Sequence, residues 1–214
     1  MRQTSVSFPA EKLALEGVVG WPEGASGRVP VAVVCPPHPA LSGDMEHPFV
    51  LALCAALDRK GMATVRFNFR GVGKSDGSFT NGEQEGRDVA AALRLAQRWP
   101  GCDGKRLGLV GYSFAAALIL RSLDRVKSAR ALALIAPPPA AAAQSLAKID
   151  PRTRVFVMAG DADRIAPADR LAGLIEASGS RAQLYIAPGI SHDWKGGEAD
   201  AAERVAGFLA GAVG

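Results

Sequence analysis

The chain has 214 residues, of which 48% are hydrophobic and 21% charged, and its formal net charge is +4 at pH 7. This length predicts one domain spanning residues 1–214, large enough to bury a core without disulfides or metal ions. The hydrophobic content excludes wholesale disorder. Basic residues are interspersed with acidic ones, as in residues 124–127, which argues against a nucleic-acid-binding stripe.

Three cysteines, Cys35, Cys54 and Cys102, form no CxxC pair, and no histidine lies at zinc-ligand spacing from them. The N-terminus lacks the apolar core of a signal peptide, and the longest apolar run, residues 114–120, is far shorter than the ~18 residues of a membrane span. We therefore expect a soluble, cytoplasmic protein with reduced thiols, no metal, no cofactor and no nucleic-acid or membrane partner. The oligomeric state stays open.

Strands and helices alternate along the chain. Residues 4–8 and 13–20 predict an antiparallel hairpin because their connection is short. Residues 31–35 form a continuous apolar run, typical of a strand buried on both faces. The other predicted strands are residues 63–69, 106–110, 131–135, 154–159 and 183–187, and the predicted helices are residues 47–60, 85–99, 114–123, 140–147, 168–177 and 198–210. This alternation predicts a mostly parallel sheet covered on both faces, a three-layer αβα sandwich.

In such sheets, functional residues lie beyond the carboxyl ends of the strands. One predicted strand runs directly into Gly-Tyr-Ser-Phe-Ala at residues 111–115, which places Ser113 at a strand-to-helix turn. A serine on this kind of sharp turn exposes its hydroxyl, and small neighbours let strand and helix approach closely. Gly111 meets that requirement, whereas Ala115 adds a methyl group where the G-x-S-x-G pattern has glycine. Ser113 is a candidate nucleophile, with an ordinary helix N-cap as the alternative.

A serine nucleophile needs a base, and the base needs a carboxylate to fix its tautomer. His192 follows the last predicted strand, which puts it at the same edge of the sheet as Ser113. Asp161 and Asp163 both follow the preceding strand. Asp161 can bond its own backbone in a turn, so we favour Asp163, which lies deeper in the loop, as the orienting acid. Trp194 is a candidate substrate-binding residue, with core packing as the alternative.

The oxyanion that forms during attack on a carbonyl needs N–H donors. One predicted donor is the amide of Phe114, directly after the nucleophile. The second is expected from the loop after residue 35, where three of the first four residues are prolines without an N–H. His38, Ala40 and Leu41 remain as candidates in that loop, and we favour His38.

Six segments spread over nearly the whole chain carry a resemblance to a known family: Cys35-Pro-Pro-His-Pro39 with Gly43 and Met45, Val65-Arg-Phe-Asn-Phe-Arg-Gly-Val-Gly-Lys-Ser-Asp-Gly-Ser-Phe79, Gly111-Tyr-Ser-Phe114, Ile135-Ala-Pro-Pro138, Gly160-Asp-Ala-Asp163 and Ser191-His-Asp-Trp194. They resemble the α/β-hydrolase superfamily, most of all its small, lidless serine-hydrolase branch related to dienelactone hydrolases. The resemblance implies the α/β-hydrolase fold and a catalytic triad of Ser113, Asp163 and His192. A serine stands here where dienelactone hydrolases carry cysteine.

The predicted function is hydrolysis of carboxylic esters or related acyl compounds, with a small acyl molecule as the partner. Only residues 136–153 separate the two strands between which many family members carry a lid. A lid domain is therefore excluded, and small or short-chain substrates are expected. The first alternative is a non-catalytic binding protein whose turn is distorted at Ala115. The second is a nucleotide hydrolase built on residues 71–75, although Asn68 replaces the first glycine of a phosphate loop.

Overall fold

Eight strands and six α-helices alternate in the computed structural model, which describes residues 1–214. The strands are β1 (Arg2–Ala10), β2 (Leu13–Trp21), β3 (Val29–Cys35), β4 (Ala63–Phe67), β5 (Cys102–Tyr112), β6 (Ala131–Ile135), β7 (Arg154–Gly160) and β8 (Gln183–Ala187). The helices are α1 (Pro48–Arg59), α2 (Glu85–Arg98), α3 (Phe114–Arg121), α4 (Pro139–Ser145), α5 (Ala168–Ser178) and α6 (Glu198–Val213). Short 3-10 helices lie at Pro39–Leu41 and Leu146–Lys148.

All the strands belong to one sheet with the order β1-β2-β4-β3-β5-β6-β7-β8. The hairpin of β1 and β2 is antiparallel, β2 is antiparallel to β4, and every other pair is parallel. This confirms the predicted mostly parallel sheet with an N-terminal antiparallel hairpin. Chain order reverses between β3 and β5, where Cys35 pairs with Gly111 at the carboxyl ends. Open α/β sheets bind their ligands at such a switch point.

Helices cover both faces of the sheet. α1 packs with α6, and the other helices contact one another in the order α2, α3, α4, α5. The apolar strands between them are almost completely buried, and one cluster of core residues extends from Phe8 to Val213. The predicted three-layer αβα arrangement is therefore confirmed. None of the helices combines the length and the apolar character that a membrane crossing requires.

Strand boundaries differ from the sequence prediction, for example at the end of β4 and at the start of β5. β4 ends at Phe67 because the next residues leave the sheet, and the backbone N–H of Arg70 donates to the buried carboxylate of Asp88. β5 begins at Cys102, earlier than predicted, because Cys102 pairs with Val29 of β3. The connection from β6 to β7 holds only α4 and one 3-10 turn, so the predicted absence of a lid domain is confirmed.

Candidate active site

Ser113 lies between the last residue of β5 and the first residue of α3, with φ 51° and ψ −104°. A positive φ is rare outside glycine, so this backbone is strained. A Cβ added at Gly111 would lie 2.5 Å from Cδ1 of Ile119 and 2.8 Å from the amide nitrogen of Ala116. Only glycine therefore lets α3 approach β5 this closely. Ala115 is completely buried, and the tight turn forms with its methyl group packed in the core.

The three predicted triad residues meet at the edge of the sheet. Ser113 Oγ lies 2.8 Å from His192 Nε2, and His192 Nδ1 lies 2.8 Å from Asp163 Oδ2. A carboxylate can only accept a hydrogen bond, so Nδ1 carries the imidazole proton. Nε2 is then the acceptor for the Ser113 hydroxyl, which is the arrangement that a general base needs.

Backbone donors hold the second oxygen of Asp163. Its Oδ1 accepts hydrogen bonds of 2.8 Å from the N–H groups of Ile165 and of Ala166, and the side chain is fully buried. These donors hold Oδ1 in place and leave Oδ2 free for His192. The sequence of the loop thus fixes both the position and the orientation of the acid.

Asp161, the competing acid in the same loop, has a different role. Its Oδ1 accepts a 2.6 Å hydrogen bond from the N–H of Gly189, which ties the exit of β7 to the exit of β8. The two exits also touch at Gly160, where any Cβ would overlap the carbonyl oxygen of Ile190. Asp161 therefore joins the two loops, and Asp163 is the carboxylate that lies beside the imidazole.

Sequence reasoning did not identify Tyr112, the residue before the nucleophile. Its hydroxyl donates a 2.7 Å hydrogen bond to the backbone carbonyl of His192. Burial raises the pKa of Tyr112 well above its usual range, so the hydroxyl keeps its proton and remains a donor. This bond links the turn that carries Ser113 directly to the loop that carries the base. No periodicity or motif in the sequence indicates this pairing.

The structure does not bring Trp194 to the surface of the site, contrary to its predicted role in substrate binding. Its side chain is buried, with 1% of the residue exposed, and its ring packs on Phe49 at a centroid distance of 5.7 Å. The large apolar area of an indole ring favours such burial. Trp194 thus follows the alternative reading, core packing.

The loop after β3 runs beside the Ser113 turn because β3 and β5 are neighbours. Of the three candidate donors there, Ala40 N–H donates to Nδ1 of His38 at 3.1 Å, and Leu41 N–H donates to the His38 carbonyl at 2.9 Å. The N–H of His38 itself has no acceptor within the chain. Phe114 is the first residue of α3, so its N–H has no carbonyl one turn earlier in the helix. The rings of His38 and Phe114 are in contact, with centroids 4.8 Å apart.

The side chain of Glu16 on β2 fills the glycine-rich turn at residues 71–75. The N–H of Lys74 donates to Oε1 of Glu16 at 2.6 Å, and a Cβ at Gly73 would overlap the same carboxylate oxygen. The hydroxyl of Ser75 donates to the carbonyl of Asn68 at 2.8 Å. The carboxylate of Glu16 on β2 therefore occupies the place where a phosphate loop would hold an anion, which argues against the nucleotide-hydrolase alternative.

A second group of buried charges lies at the start of α2. The guanidinium of Arg70 contacts both carboxylate oxygens of Asp88, through Nε at 3.0 Å and Nη2 at 2.6 Å, and donates from Nη1 to Gln84 at 2.6 Å. One turn earlier, the fully buried Glu85 accepts from the N–H of Thr80 at 2.6 Å. Hydrogen bonding to Asp88 raises the pKa of Arg70, so its guanidinium stays charged.

Residues 15–163 match the family of X-Pro dipeptidyl-peptidases (S15 family). The chain is 31% identical over 160 residues to an uncharacterized protein of Rickettsia prowazekii (strain Madrid E). That alignment covers 72% of this chain and 65% of the relative, so the chain spans less than two thirds of the length of that curated protein.

Solved structures of serine hydrolases share the fold over almost the full length. An α/β serine hydrolase homologue from Coxiella burnetii is similar with a TM-score of 0.84 and 29% identity, covering 98% of both chains. A lidless α/β serine hydrolase from Xanthomonas campestris has a TM-score of 0.81 and 29% identity, covering 100% of this chain and 94% of that one. With this fold and the match over residues 15–163, the chain belongs to the X-Pro dipeptidyl-peptidase (S15) family, as a lidless member of the α/β hydrolases.

Proposed function

We propose that this protein hydrolyses carboxylic esters of small or short-chain acids through an acyl-enzyme formed on Ser113. The observation that carries the proposal is the continuous hydrogen-bonded chain from buried Asp163 through His192 to the hydroxyl of Ser113, with both links at 2.8 Å. The strained turn carries the half-buried Ser113 at the switch point of the sheet, where open α/β sheets bind their ligands. Nucleophile, base and orienting acid thus stand in the order that acyl transfer requires.

In the first half of the reaction, His192 Nε2 takes the hydroxyl proton as Ser113 Oγ attacks the carbonyl carbon. The electron pair of the C=O bond moves to the oxygen, and the N–H groups of Phe114 and His38 donate to the oxyanion. Asp163 remains ionised and stabilises the imidazolium cation. The bond to the alcohol then breaks, and Nε2–H delivers its proton to the departing oxygen.

In the second half, water replaces the alcohol. His192 Nε2 removes a proton from the water as its oxygen attacks the acyl carbon, and the same two amides hold the second oxyanion. When the bond to Ser113 Oγ breaks, the proton on Nε2 returns to that oxygen. The carboxylic acid leaves and the hydroxyl is restored.

Small substrates are favoured by what surrounds the triad. The connection after β6 contains only a short helix and one 3-10 turn, so no domain inserted between β6 and β7 covers the site. Two of the few large exposed apolar side chains lie on loops at this edge, Leu41 after β3 and Ile165 after β7, with 73% and 62% exposure. An open rim with such side chains supports contact with a short apolar acyl or alkoxy group.

Peptide hydrolysis is a second candidate, favoured by the match to the S15 family of X-Pro dipeptidyl-peptidases. The same residues would act, with Nε2–H of His192 protonating the departing amine. An amide is the harder substrate because amines are poorer leaving groups than alcohols. We rank it second because the acidic side chains near the triad already accept hydrogen bonds from the chain: Asp161 accepts from the N–H of Gly189, and Asp193 accepts from the hydroxyl of Ser191.

A pair of chromogenic substrate series tests this ranking. We expect hydrolysis of p-nitrophenyl acetate and butyrate, with activity falling as the acyl chain lengthens, and little turnover of Ala-Pro p-nitroanilide. A fluorophosphonate probe should label the wild type on Ser113 and leave Ser113→Ala unlabelled. Turnover of the anilide without the esters would favour the peptidase. An unlabelled wild type that hydrolyses neither series would favour a non-catalytic binding protein.

A further inference from the structure

We propose that Asn81 is a positioning residue for catalysis: its side chain holds the ring of His38, and through it keeps the His38 N–H aimed at the oxyanion. The inference rests on the proposed function, since the His38 N–H has this task only if Ser113 attacks a carbonyl. Asn81 lies 32 positions before Ser113 in the chain, and no sequence motif singled it out.

Two hydrogen bonds fix the orientation of the His38 ring. Nδ1 accepts from the N–H of Ala40 at 3.1 Å, so the proton of the neutral ring lies on Nε2. Nε2 in turn lies 3.2 Å from Oδ1 of Asn81 and donates to it. This is the one hydrogen bond that connects His38 to a residue outside the loop after β3. The ring also packs on Phe79 and Phe114, with centroid distances of 5.2 and 4.8 Å.

Asn81 can act as an anchor because its own loop is held firmly on both sides. Glu85, which is completely buried, accepts hydrogen bonds from the N–H of Thr80 at 2.6 Å and from the N–H of Gly82 at 2.7 Å. The hydroxyl of Thr80 adds a third donor at 2.8 Å. Asn81, between these two residues, has φ 53°, a left-handed conformation that asparagine tolerates better than most residues.

These contacts form a route from the core to the oxyanion. The buried carboxylate of Glu85 fixes the backbone on either side of Asn81, the amide of Asn81 fixes the ring of His38, and the ring fixes the backbone from which the N–H projects. Flanking prolines limit rotation about the backbone of His38 but do not hold its side chain. A donor must be in place before charge develops if it is to lower the barrier, so loosening this route should slow the chemical step rather than weaken binding.

Three variants separate positioning from general loop stability. Asn81→Gly removes the acceptor and keeps the positive φ free of strain. Asn81→Asp keeps an acceptor oxygen and also tolerates this backbone. Glu83→Ala is the control, because Glu83 is exposed in the same loop and its side chain makes no hydrogen bond.

With p-nitrophenyl acetate, we expect Asn81→Gly to lower kcat by about 10- to 100-fold, less than the ~10²–10³-fold loss for deleting an oxyanion donor outright. KM should stay within about twofold, because the effect is confined to the transition state. The inhibition constant of a trifluoromethyl ketone, which forms a tetrahedral adduct on the serine, should rise by a factor similar to the loss in kcat/KM. Asn81→Asp and Glu83→Ala should both resemble the wild type.

Several outcomes would overturn the inference. They are an unchanged kcat in Asn81→Gly, an effect seen only as a raised KM, an equal loss of kcat in Glu83→Ala, or an Asn81→Asp variant whose kcat is as low as that of Asn81→Gly.

Hydrogen–deuterium exchange gives a readout that does not need turnover: the backbone amides of residues 36–44 should exchange faster in Asn81→Gly, while protection in the rest of the protein stays unchanged. If the wild type is active and Asn81→Gly equals it, the inference alone fails. If the wild type neither hydrolyses esters nor reacts with a fluorophosphonate, the proposed function fails, and the inference with it.

Discussion

Two groups of buried charged side chains lie at the carboxyl edge of the sheet, one around Asp163 and one around Asp88. Both aspartate side chains are completely buried, and both are hydrogen-bonded to one basic side chain. Asp88 also accepts from one backbone N–H group, and Asp163 accepts from two. The basic partner differs. Asp88 faces the permanently charged guanidinium of Arg70, whereas Asp163 faces the imidazole of His192.

That difference decides what each group can do. The Arg70 pair offers no proton to transfer, because a guanidinium stays protonated while its three nitrogens donate to the carboxylate of Asp88 and to Gln84. The imidazole has a second nitrogen, and that nitrogen reaches the hydroxyl of Ser113 at 2.8 Å. Burial and charge alone therefore do not indicate catalysis in this protein. The feature that points to catalysis is a hydrogen-bonded chain that ends at the half-buried hydroxyl of Ser113, a group able to give up its proton.

The largest effect should come from removing that terminal atom. Ser113→Ala deletes the proposed nucleophile, and we expect kcat for an ester to fall by roughly 10⁶-fold, the loss typical of removing a triad serine. Circular dichroism and thermal unfolding should show that the variant remains folded. Activity at the wild-type level in Ser113→Ala would mean that the hydroxyl of Ser113, at the end of this series of hydrogen bonds, is not the nucleophile.

Asp163→Asn tests the link to the buried carboxylate. The N–H groups of Ile165 and Ala166 face Oδ1 and require an acceptor there, so the new NH₂ group must face His192. Nδ1 of the imidazole must then be the acceptor, which moves its proton to Nε2 and blocks that nitrogen as a base. We expect a loss of about 10⁴-fold in kcat with little change in KM. A loss of less than tenfold would show that the tautomer does not depend on Asp163.

Removing the Arg70–Asp88 ion pair should lower the free energy of unfolding and leave the kcat of the folded protein unchanged. Arg70→Met leaves Asp88 buried without its cation, and we expect a loss of about 3–5 kcal/mol in the free energy of unfolding. Urea denaturation measures this loss. The matched control is Arg152→Met, which removes an exposed pair with Asp150 and should leave the denaturation midpoint unchanged. Similar midpoints for the two variants would contradict the distinction.

Periodicity and turn residues predicted most of the fold, because alternating strands and helices with apolar cores admit few arrangements. The carboxyl edge of the sheet then pointed to Ser113, Asp163 and His192, since each lies within five residues of the end of a strand. The choice between Asp161 and Asp163 was also possible from their depth in the loop. The structure adds the pairing that supports this choice, since the N–H of Gly189 engages Asp161.

The sequence could not reveal contacts between loops that are distant in the chain. Trp194 is an example. It lies two residues from His192, which suggested a role in substrate binding, but its backbone has a φ of 57° and its ring is buried in the core. Asn81 illustrates the opposite case, an exposed polar residue in a loop whose importance appears only from its distance to His38. Glu85 offered one usable signal, since it and Asp88 are spaced by three residues on the face of α2 that is otherwise apolar.

The smallest effect in this comparison concerns Glu85 and is best seen as a pH dependence. Burial opposes ionisation of Glu85, but the hydrogen bonds from Thr80 and Gly82 outweigh it and lower the pKa of the carboxyl below its ordinary value of 4.5. Because the folded-state pKa lies below the unfolded-state value, the carboxylate adds stability above about pH 4.5, and this stability is lost as the pH falls through the lowered pKa.

In Glu85→Gln, an NH₂ group must face one of the backbone donors, so we expect the free energy of unfolding to fall by about 1–3 kcal/mol at pH 7. Urea unfolding of both proteins between pH 7 and pH 3 should show the gap narrowing as the pH falls, while the exposed control Glu83→Gln stays parallel to the wild type. A gap that is constant over this range would mean that Glu85 holds the loop by shape alone and that its charge contributes nothing.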